Sequence, residues 1–128
     1  MAGKFLNKKT LGPIISVTPI KNNIGTVIYG DVATYTIKVA NNGDADLVIR
    51  KISTSCGCTK AKIAETDKVI SPGKFADVLV SFDPAVHKDD TDVGEIVRVI
   101  YINSNDPKNP EIQSELNAVV IKPTTSTK

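Results

Sequence analysis

The 128-residue sequence predicts an all-β fold in which two antiparallel sheets pack face to face as a sandwich. Short segments rich in β-branched and aromatic residues recur along the chain, and several alternate between apolar and polar side chains. Glycine, proline, asparagine and aspartate are concentrated between these segments, where turns are required. No stretch keeps an apolar period of about 3.6 residues, so we expect no α-helix. These observations predict roughly seven to eight strands with Greek-key connections.

The first half of the chain contains four predicted strands: Ile14 to Thr18, Thr26 to Tyr29, Ala33 to Asn41 and Leu47 to Thr54. The first ends at Pro19, and because proline cannot donate to a ladder we expect it to be an edge strand. The third alternates regularly, which predicts that one face is buried through Tyr35, Ile37 and Val39. Asn41 to Asp44 tolerate positive φ, so this turn predicts a hairpin between the third and fourth strands.

The second half contains five further candidates: Thr59 to Ile63, Lys68 to Ile70, Phe75 to Phe82, Ile96 to Ile102 and Ile112 to Ile121. Ile96 to Ile102 is nearly all β-branched or aromatic, which predicts a central strand that is covered on both faces. In the strands on either side of it, alternation predicts two buried sets: Val78, Val80 and Phe82, and Leu116, Ala118 and Val120.

Length and composition predict one sandwich domain over residues 14–122, with a basic arm over residues 1–13 and a polar tail over residues 123–128. Sixteen basic and fourteen acidic residues leave a net charge of +2, which argues against nucleic acid or an anionic membrane as the partner. No apolar run approaches the roughly 18 residues of a membrane span.

The start of the sequence lacks the apolar run of a secretory signal. We therefore expect synthesis in the cytoplasm, with use there or incorporation into a virion. An envelope or extracellular location would follow if a leader had been removed before this numbering begins.

Several spaced motifs resemble one family. They include Ser55-Cys56-Gly57-Cys58-Thr59, Val80-Ser81-Phe82-Asp83-Pro84 and Asn103-Ser104-Asn105-Asp106-Pro107. They are similar to the bacterial immunoglobulin-like domains of unknown function built round a Cys-Gly-Cys-Thr motif. Those domains lie within the wider group of major sperm protein and hydin-type, or ASH-like, domains. The resemblance covers roughly residues 14–121. It implies an immunoglobulin-like sandwich and a role in protein contacts or polymers, without a defined activity.

Cys56 and Cys58 allow three interpretations. In an extended strand, residues two apart lie about 6.6 Å apart at Cα, so a disulfide would need a bend at Gly57. As thiolates they could hold copper(I) or zinc, although a closed zinc site needs two more ligands. The favoured interpretation is two reduced cysteines packed as small apolar residues at a bend.

Enzyme motifs are weak in this sequence. His87 is the single histidine and lies in the polar run Val86 to Asp92, which is typical of a solvated loop. A Cys-His dyad would need that loop to fold onto Cys56 or Cys58. The aspartates in the run lack the glycine and glutamate of an EF-hand, so a surface acidic loop is favoured over a calcium site.

The sequence therefore predicts a non-enzymatic structural or protein-interaction module that needs no cofactor and no small-molecule substrate. Its partner would be another protein or further copies of itself, as in a decoration or accessory protein of a phage virion. The candidate contact residues form the edge strand: Ile14, Ile15, Ser16, Val17 and Thr18. The alternative is a thiol-based redox or copper-binding protein that uses Cys56 and Cys58.

Overall fold

A computed structural model describes residues 11–123, so most of the predicted basic arm and polar tail lies outside the described residues. The described chain forms nine strands: β1 (Ile15–Thr18), β2 (Lys21–Ile28), β3 (Ala33–Asn41), β4 (Leu47–Thr54), β5 (Thr59–Lys62), β6 (Val69–Ile70), β7 (Phe75–Phe82), β8 (Gly94–Ser104) and β9 (Glu111–Ile121). Two single 3₁₀ turns, Glu65–Asp67 and Asp90–Asp92, are its helical elements. The all-β sandwich that the sequence predicts is confirmed.

The strands form two packed sheets. The four-stranded sheet has the order β1-β3-β7-β5, and the five-stranded sheet has the order β2-β9-β8-β4-β6. The chain changes sheets at the cis peptide bond between Thr18 and Pro19, because β1 pairs with β3 whereas β2 pairs with β9. The β2–β9 pair is parallel, so one pair departs from the predicted antiparallel arrangement. Within residues 11–123 no helix is long and apolar enough to cross a membrane.

The predicted hairpin between β3 and β4 is wrong. β3 pairs with β1 and β7 in one sheet, whereas β4 pairs with β8 and β6 in the other. The turn crosses between the sheets because buried Asn41 anchors it, its side-chain amide donating to the carbonyls of Ala45 and Ile70. Gly43 lies so close to the backbone before β1 that a Cβ on it would overlap the carbonyl oxygen of Gly12.

The core lies between the sheets and follows the predicted alternation. Its fully buried side chains come from both layers: Ile37, Val39, Leu47, Val78, Val80, Phe82, Ile100, Ile102 and Leu116. β8 is central in its sheet, as predicted, because β9 and β4 pair with its two sides. It is nevertheless covered on one face only, and Val97 is 53% exposed. A two-layer sandwich covers one face of each sheet, which is why the prediction of two covered faces fails.

Candidate functional site: an edge strand and a disulfide cluster

β1 lies at the outer edge of the four-stranded sheet. Ile15 and Val17 point into the core, whereas Ser16 is half-buried and Thr18 is exposed. Ile14 directly precedes the strand, and its carbonyl accepts from the backbone N–H of Asn42. The structure thus places all five predicted contact residues at or beside one sheet edge, with their apolar side chains used for packing.

The backbone groups of β1 alternate in direction. Because the carbonyl of Ile14 accepts from the N–H of Asn42, the antiparallel pattern directs the peptide groups of Ser16 toward β3 and those of Ile15 and Val17 away from it. The outward N–H of Ile15 donates to the carboxylate of Asp106 at 2.9 Å. The outward N–H and C=O of Val17 remain in position for a further strand. Within residues 11–123 no strand pairs with this side of β1.

Asp106 fixes the start of this edge. Its carboxylate is 2% exposed and accepts backbone N–H bonds from Ile15, Lys108 and Asn109. Burial opposes ionisation of this carboxyl, but the three N–H donors outweigh burial and lower its pKa below the ordinary value of 3.8. An ionised Asp106 therefore joins the turn after β8 to the first strand, 91 residues away in sequence.

The other described sheet edges carry features that hinder strand addition. β6 is two residues long. β5 carries the exposed lysines Lys60 and Lys62, and charged edge residues discourage pairing. β2 has a register shift between Asn23 and Thr26, where Gly25 adopts a φ of 80°. β1 has no charged residue and no bulge, which makes it the edge best suited to an added strand.

The second candidate site is the turn between β4 and β5, where the structure joins Cys56 and Cys58 by a disulfide. The expectation of two reduced cysteines is therefore wrong. Residues 55–58 form a turn rather than extended strand, which brings the two Cα atoms to 5.2 Å, within the range of a disulfide. The hydroxyl of Thr54 fastens the turn by sharing its one hydrogen between the carbonyls of Cys56 and Thr59, at 2.9 and 2.7 Å.

This disulfide does not staple distant parts of the fold. The two cysteines are separated by two positions, and chain entropy gives such a short loop only about 1.6 kcal/mol of stabilisation. A bond across a long loop would be worth roughly 4 kcal/mol or more on the same estimate. The disulfide therefore contributes little to stability, and its chemistry is the property to consider.

A charged cluster lies against the disulfide. The carboxylate of Asp92 is fully buried, and its two oxygens contact the guanidinium of Arg98 and, at 3.0 Å, Nδ1 of His87. Arg98 Nε also donates to Cys58 Sγ at 3.3 Å. The prediction of a solvated loop is confirmed for residues 86–91, which are exposed, and is wrong for Asp92, whose side chain is buried beside the cysteines.

The three aspartates of this loop have separate roles. Asp89 caps the 3₁₀ turn through the N–H of Thr91, and hydrogen bonds from the side chain and the backbone of Thr91 lower the pKa of Asp89. Asp90 pairs with Lys122, and this hydrogen bond raises the pKa of the lysine. Asp92 faces the disulfide instead. The three carboxylates therefore have three different sets of partners.

The cluster includes potential metal ligands. Cys56, His87 and Asp92 each offer one ligand atom, and these atoms lie within 4.8 Å of one another. The Arg98 guanidinium, however, contacts both Asp92 and Cys58 and places a positive charge where a cation would sit. Arg98 is 18% exposed at its side chain, so water screens this charge only in part. Arg98 thus already neutralises the carboxylate that a cation would need, and it also donates to the Cys58 sulfur.

A depression of about 210 Å³ opens beside Cys58. Its walls include Val32 and Val86, which are 56% and 38% exposed, together with Lys60 and Asp83. An apolar floor with one charge of each sign can receive a short peptide segment next to the disulfide.

Arg98 is the residue of this site that the sequence analysis missed. It stands between Ile96 and Ile100 in β8, and alternation places all three on the core-facing side of the strand. A charged residue at a core-facing position requires a partner, and this requirement was the available signal. The partner, Asp92, could not be identified without the loop conformation.

A family model described as "Protein of unknown function (DUF1573)" matches residues 15–120. No curated protein gives a significant match. The chain is similar to a crystallised protein of unknown function from Porphyromonas gingivalis W83, with 21% identity and a TM-score of 0.75 over 90% of this chain. The chain spans 50% of that structure's length.

Two other solved structures show the same fold. The seventh PapD-like domain of human CEP192, an ASH domain, has 11% identity and a TM-score of 0.67 over 91% of this chain and 92% of its own. The periplasmic chaperone SfaE has 13% identity and a TM-score of 0.50 over 86% of this chain and 57% of its own. At such identities the likeness shows the fold alone, an immunoglobulin-like sandwich of the PapD-like and ASH kind.

Proposed function

The chain belongs to the DUF1573 family, whose function is unknown, and on that basis we propose that it is a non-enzymatic protein-interaction module of a larger assembly. The interacting domain spans residues 14–122, with residues 1–13 and 123–128 as flanking segments. We take Cys56 to Thr59 to be the characteristic Cys-Gly-Cys-Thr motif of this family. The proposed contact is the addition of an extended partner segment to β1.

The single observation that carries this proposal is the outward direction of the Val17 peptide groups on an edge without charge or bulge. A partner strand could form main-chain hydrogen bonds with this N–H and C=O, and such bonds give affinity in strand addition. Because Ile15 and Val17 point between the sheets, every second side chain of the partner would also point there. The partner chemistry is therefore an extended segment with apolar residues at alternate positions.

A phage virion that carries this chain as a decoration or accessory protein is one assembly of the proposed kind. The first test is the mass of the native protein in its source material, measured by light scattering after size exclusion. The proposal expects a discrete particle much heavier than the 13.7 kDa chain. A monomer in the source material would overturn it.

The contact itself is tested with proline, which removes one backbone N–H. Val17→Pro deletes an outward donor of β1 and keeps the donors to β3, and it also replaces a core side chain, so its folding is verified first. Ala61→Pro is the matched control. The carbonyl of Cys58 accepts from the N–H of Asp83 across the β5–β7 pair, so the antiparallel pattern turns the N–H of Ala61 away from β7. We expect Val17→Pro to lose incorporation into the particle by at least about tenfold and Ala61→Pro to retain it. Equal incorporation of two folded variants would refute the role of β1.

A further inference from the structure

We propose that Cys56 and Cys58 form a redox centre that accepts two electrons from a pair of thiols on a partner protein. This role does not depend on the edge contact of β1. Thiol–disulfide exchange needs a sulfur that an incoming thiolate can reach and a second sulfur that leaves as a stabilised thiolate. The turn between β4 and β5 supplies both.

The two sulfurs differ in access. Cys58 is 1% exposed, whereas Cys56 is only partly buried. This difference in exposure places Cys56 at the outer side of the turn and Cys58 against the core. An incoming thiolate can therefore attack Cys56, with Cys58 as the leaving group.

The surroundings of Cys58 favour its thiolate. Arg98 Nε donates to Cys58 Sγ at 3.3 Å, and the hydroxyl of Thr59 lies 3.4 Å from the same sulfur. A fixed guanidinium in a largely buried position stabilises a negative charge more than water-exposed lysines do. Stabilising the leaving thiolate favours the reduced form, which makes the disulfide a stronger oxidant.

The surroundings of Cys56 favour its protonated thiol. Cys56 Sγ lies 3.7 Å from Oδ1 of Asp92. A disulfide sulfur carries no hydrogen, so this contact becomes a hydrogen bond only when Cys56 is reduced. His87 holds the other oxygen of Asp92 at 3.0 Å and keeps the carboxylate in place. Reduction thus gives each sulfur a suitable partner: Asp92 for the thiol and Arg98 for the thiolate.

Two successive thiol–disulfide exchanges transfer two electrons from the partner to the Cys56–Cys58 disulfide. A partner thiolate attacks Cys56 Sγ, a bond forms between these two sulfurs, and the Cys56–Cys58 bond breaks with its electron pair left on Cys58. The second partner thiolate then attacks the partner sulfur of this mixed disulfide, and the released electron pair goes to Cys56, which takes up one proton. The partner leaves as a disulfide after giving up two electrons and two protons. One proton stays on Cys56 and the other passes to solvent.

The depression beside Cys58 indicates that the thiols belong to a protein. Its exposed valines, Val32 and Val86, would contact apolar residues next to the partner's cysteine, and Lys60 and Asp83 would contact polar ones. Glutathione has no apolar side chain to place against Val32 and Val86, whereas a protein segment beside a cysteine can present one.

The wild-type chain provides the first test. The folded protein is equilibrated in dithiothreitol buffers of graded potential, quenched with acid, then unfolded, alkylated and weighed by mass spectrometry. We expect both cysteines to be reduced together, as one two-electron couple, while the chain is still folded. Resistance to reduction until the chain unfolds would overturn the proposal. So would a reduced chain that binds one copper(I) or zinc ion and thereby protects its thiols.

Single cysteine variants test the assignment of the two sulfurs. Cys58→Ser leaves accessible Cys56 and should form a mixed disulfide with oxidised glutathione at least about ten times faster than Cys56→Ser does. Equal rates in folded variants would refute the assignment. This readout does not require any change in the charged cluster.

Arg98→Met tests the stabilisation of the thiolate, with Arg50→Met on the exposed side of β4 as the matched control. We expect the Arg98 variant to shift the equilibrium at least tenfold toward the disulfide, which is about 30 mV for two electrons. Arg50→Met should stay within about twofold. Equal redox midpoints would show that Arg98 does not stabilise the Cys58 thiolate. If Arg98→Met does not fold, the cysteine variants still test the proposal.

The partner class is tested with a dithiol peptide whose cysteines are flanked by valine or leucine. The oxidised wild type should oxidise this peptide at least about tenfold faster than a dithiol peptide of the same cysteine spacing whose cysteines are flanked by serine. Equal rates would show that the depression does not select a protein partner. Edge variants of β1 are expected to behave as wild type here, so the two proposals can fail separately.

Discussion

Asp106→Asn is the substitution that we expect to separate the first strand from the rest of the sandwich most cleanly. In the wild type, one carboxylate oxygen accepts from Ile15 at 2.9 Å. The other accepts from Lys108 at 2.8 Å and Asn109 at 3.2 Å. Asparagine has one acceptor oxygen and one NH₂ group, so it can satisfy only one of these two sides.

The expected cost follows from those contacts. The asparagine oxygen would face Lys108 and Asn109, because that side has two donors, and its NH₂ would then face the N–H of Ile15. One hydrogen bond to a charged acceptor is lost, worth roughly 1.5–3 kcal/mol, and a buried N–H is left unpaired, which costs about 1–3 kcal/mol. Since these terms overlap, we expect unfolding to become easier by about 2–4 kcal/mol. A small domain with about 5–15 kcal/mol of stability would remain folded.

The effect should also depend on pH. The folded-state pKa of Asp106 is lowered from 3.8, so its carboxylate contributes stability above the unfolded-state pKa and loses it as pH falls through the folded-state pKa. The gap between wild type and variant should therefore be constant from pH 7 to about pH 5 and narrow below about pH 4.

Urea unfolding at pH 7, 5, 4 and 3 measures this gap. Asp31→Asn removes an exposed carboxylate and is the control, with an expected change within about 0.5 kcal/mol. A gap under about 1 kcal/mol at pH 7 would refute the claim that the hydrogen bond from Ile15 to Asp106 stabilises β1. A gap that stays unchanged down to pH 3 would refute the role of the ionised carboxylate.

Three further substitutions test the core and the crossover. Phe82→Ala removes a fully buried ring and should cost about 3–5 kcal/mol in urea unfolding, whereas exposed Phe75→Ala should cost far less. Gly43→Ala places a Cβ against the Gly12 backbone and should lower the free energy of unfolding by about 1–3 kcal/mol; no change would mean that the turn can move apart. Burial raises the pKa of Tyr35 to about 12, and its buried hydroxyl has no hydrogen-bond partner among the described residues. Wild-type stability should therefore fall as pH rises above 10, and Tyr35→Phe should be at least as stable at pH 7 and lose less between pH 10 and 12; equal alkaline losses would contradict this.

Periodicity predicted the core well because it depends on geometry within one strand. The alternation of Val78, Val80 and Phe82 states which side chains share a face, and any sheet that covers that face will bury them. Pairing between strands is a different matter. Asn41 to Asp44 have hairpin chemistry, yet the hydrogen bonds from the Asn41 side chain to the carbonyls of Ala45 and Ile70 direct the chain into the other sheet.

The disulfide cluster shows the same limit. The sequence located Cys56 and Cys58, but their geometry depends on a turn whose conformation is fixed by Thr54 and by Asp83, whose N–H donates to the carbonyl of Cys58. His87 and Asp92 are charged or polar residues in a polar run, and nothing in that run indicates which of them is buried. Core-facing Arg98 carried the only local signal, because the alternation of β8 gives it an inward position that an isolated charge cannot occupy.

The two candidate sites lie at opposite edges of one sheet. β1 and the strand that follows the disulfide, β5, are separated by β3 and β7 in the order β1-β3-β7-β5. Three interstrand spacings of about 4.8 Å place these edges roughly 14 Å apart, so a strand added to β1 would not cover Cys56. The module could therefore stay bound in an assembly while its disulfide exchanges with another protein. In that case Val17→Pro should leave the redox midpoint unchanged, and Cys56→Ser should leave assembly unchanged. A changed midpoint in the first variant, or changed assembly in the second, would mean that the sheet couples its two edges.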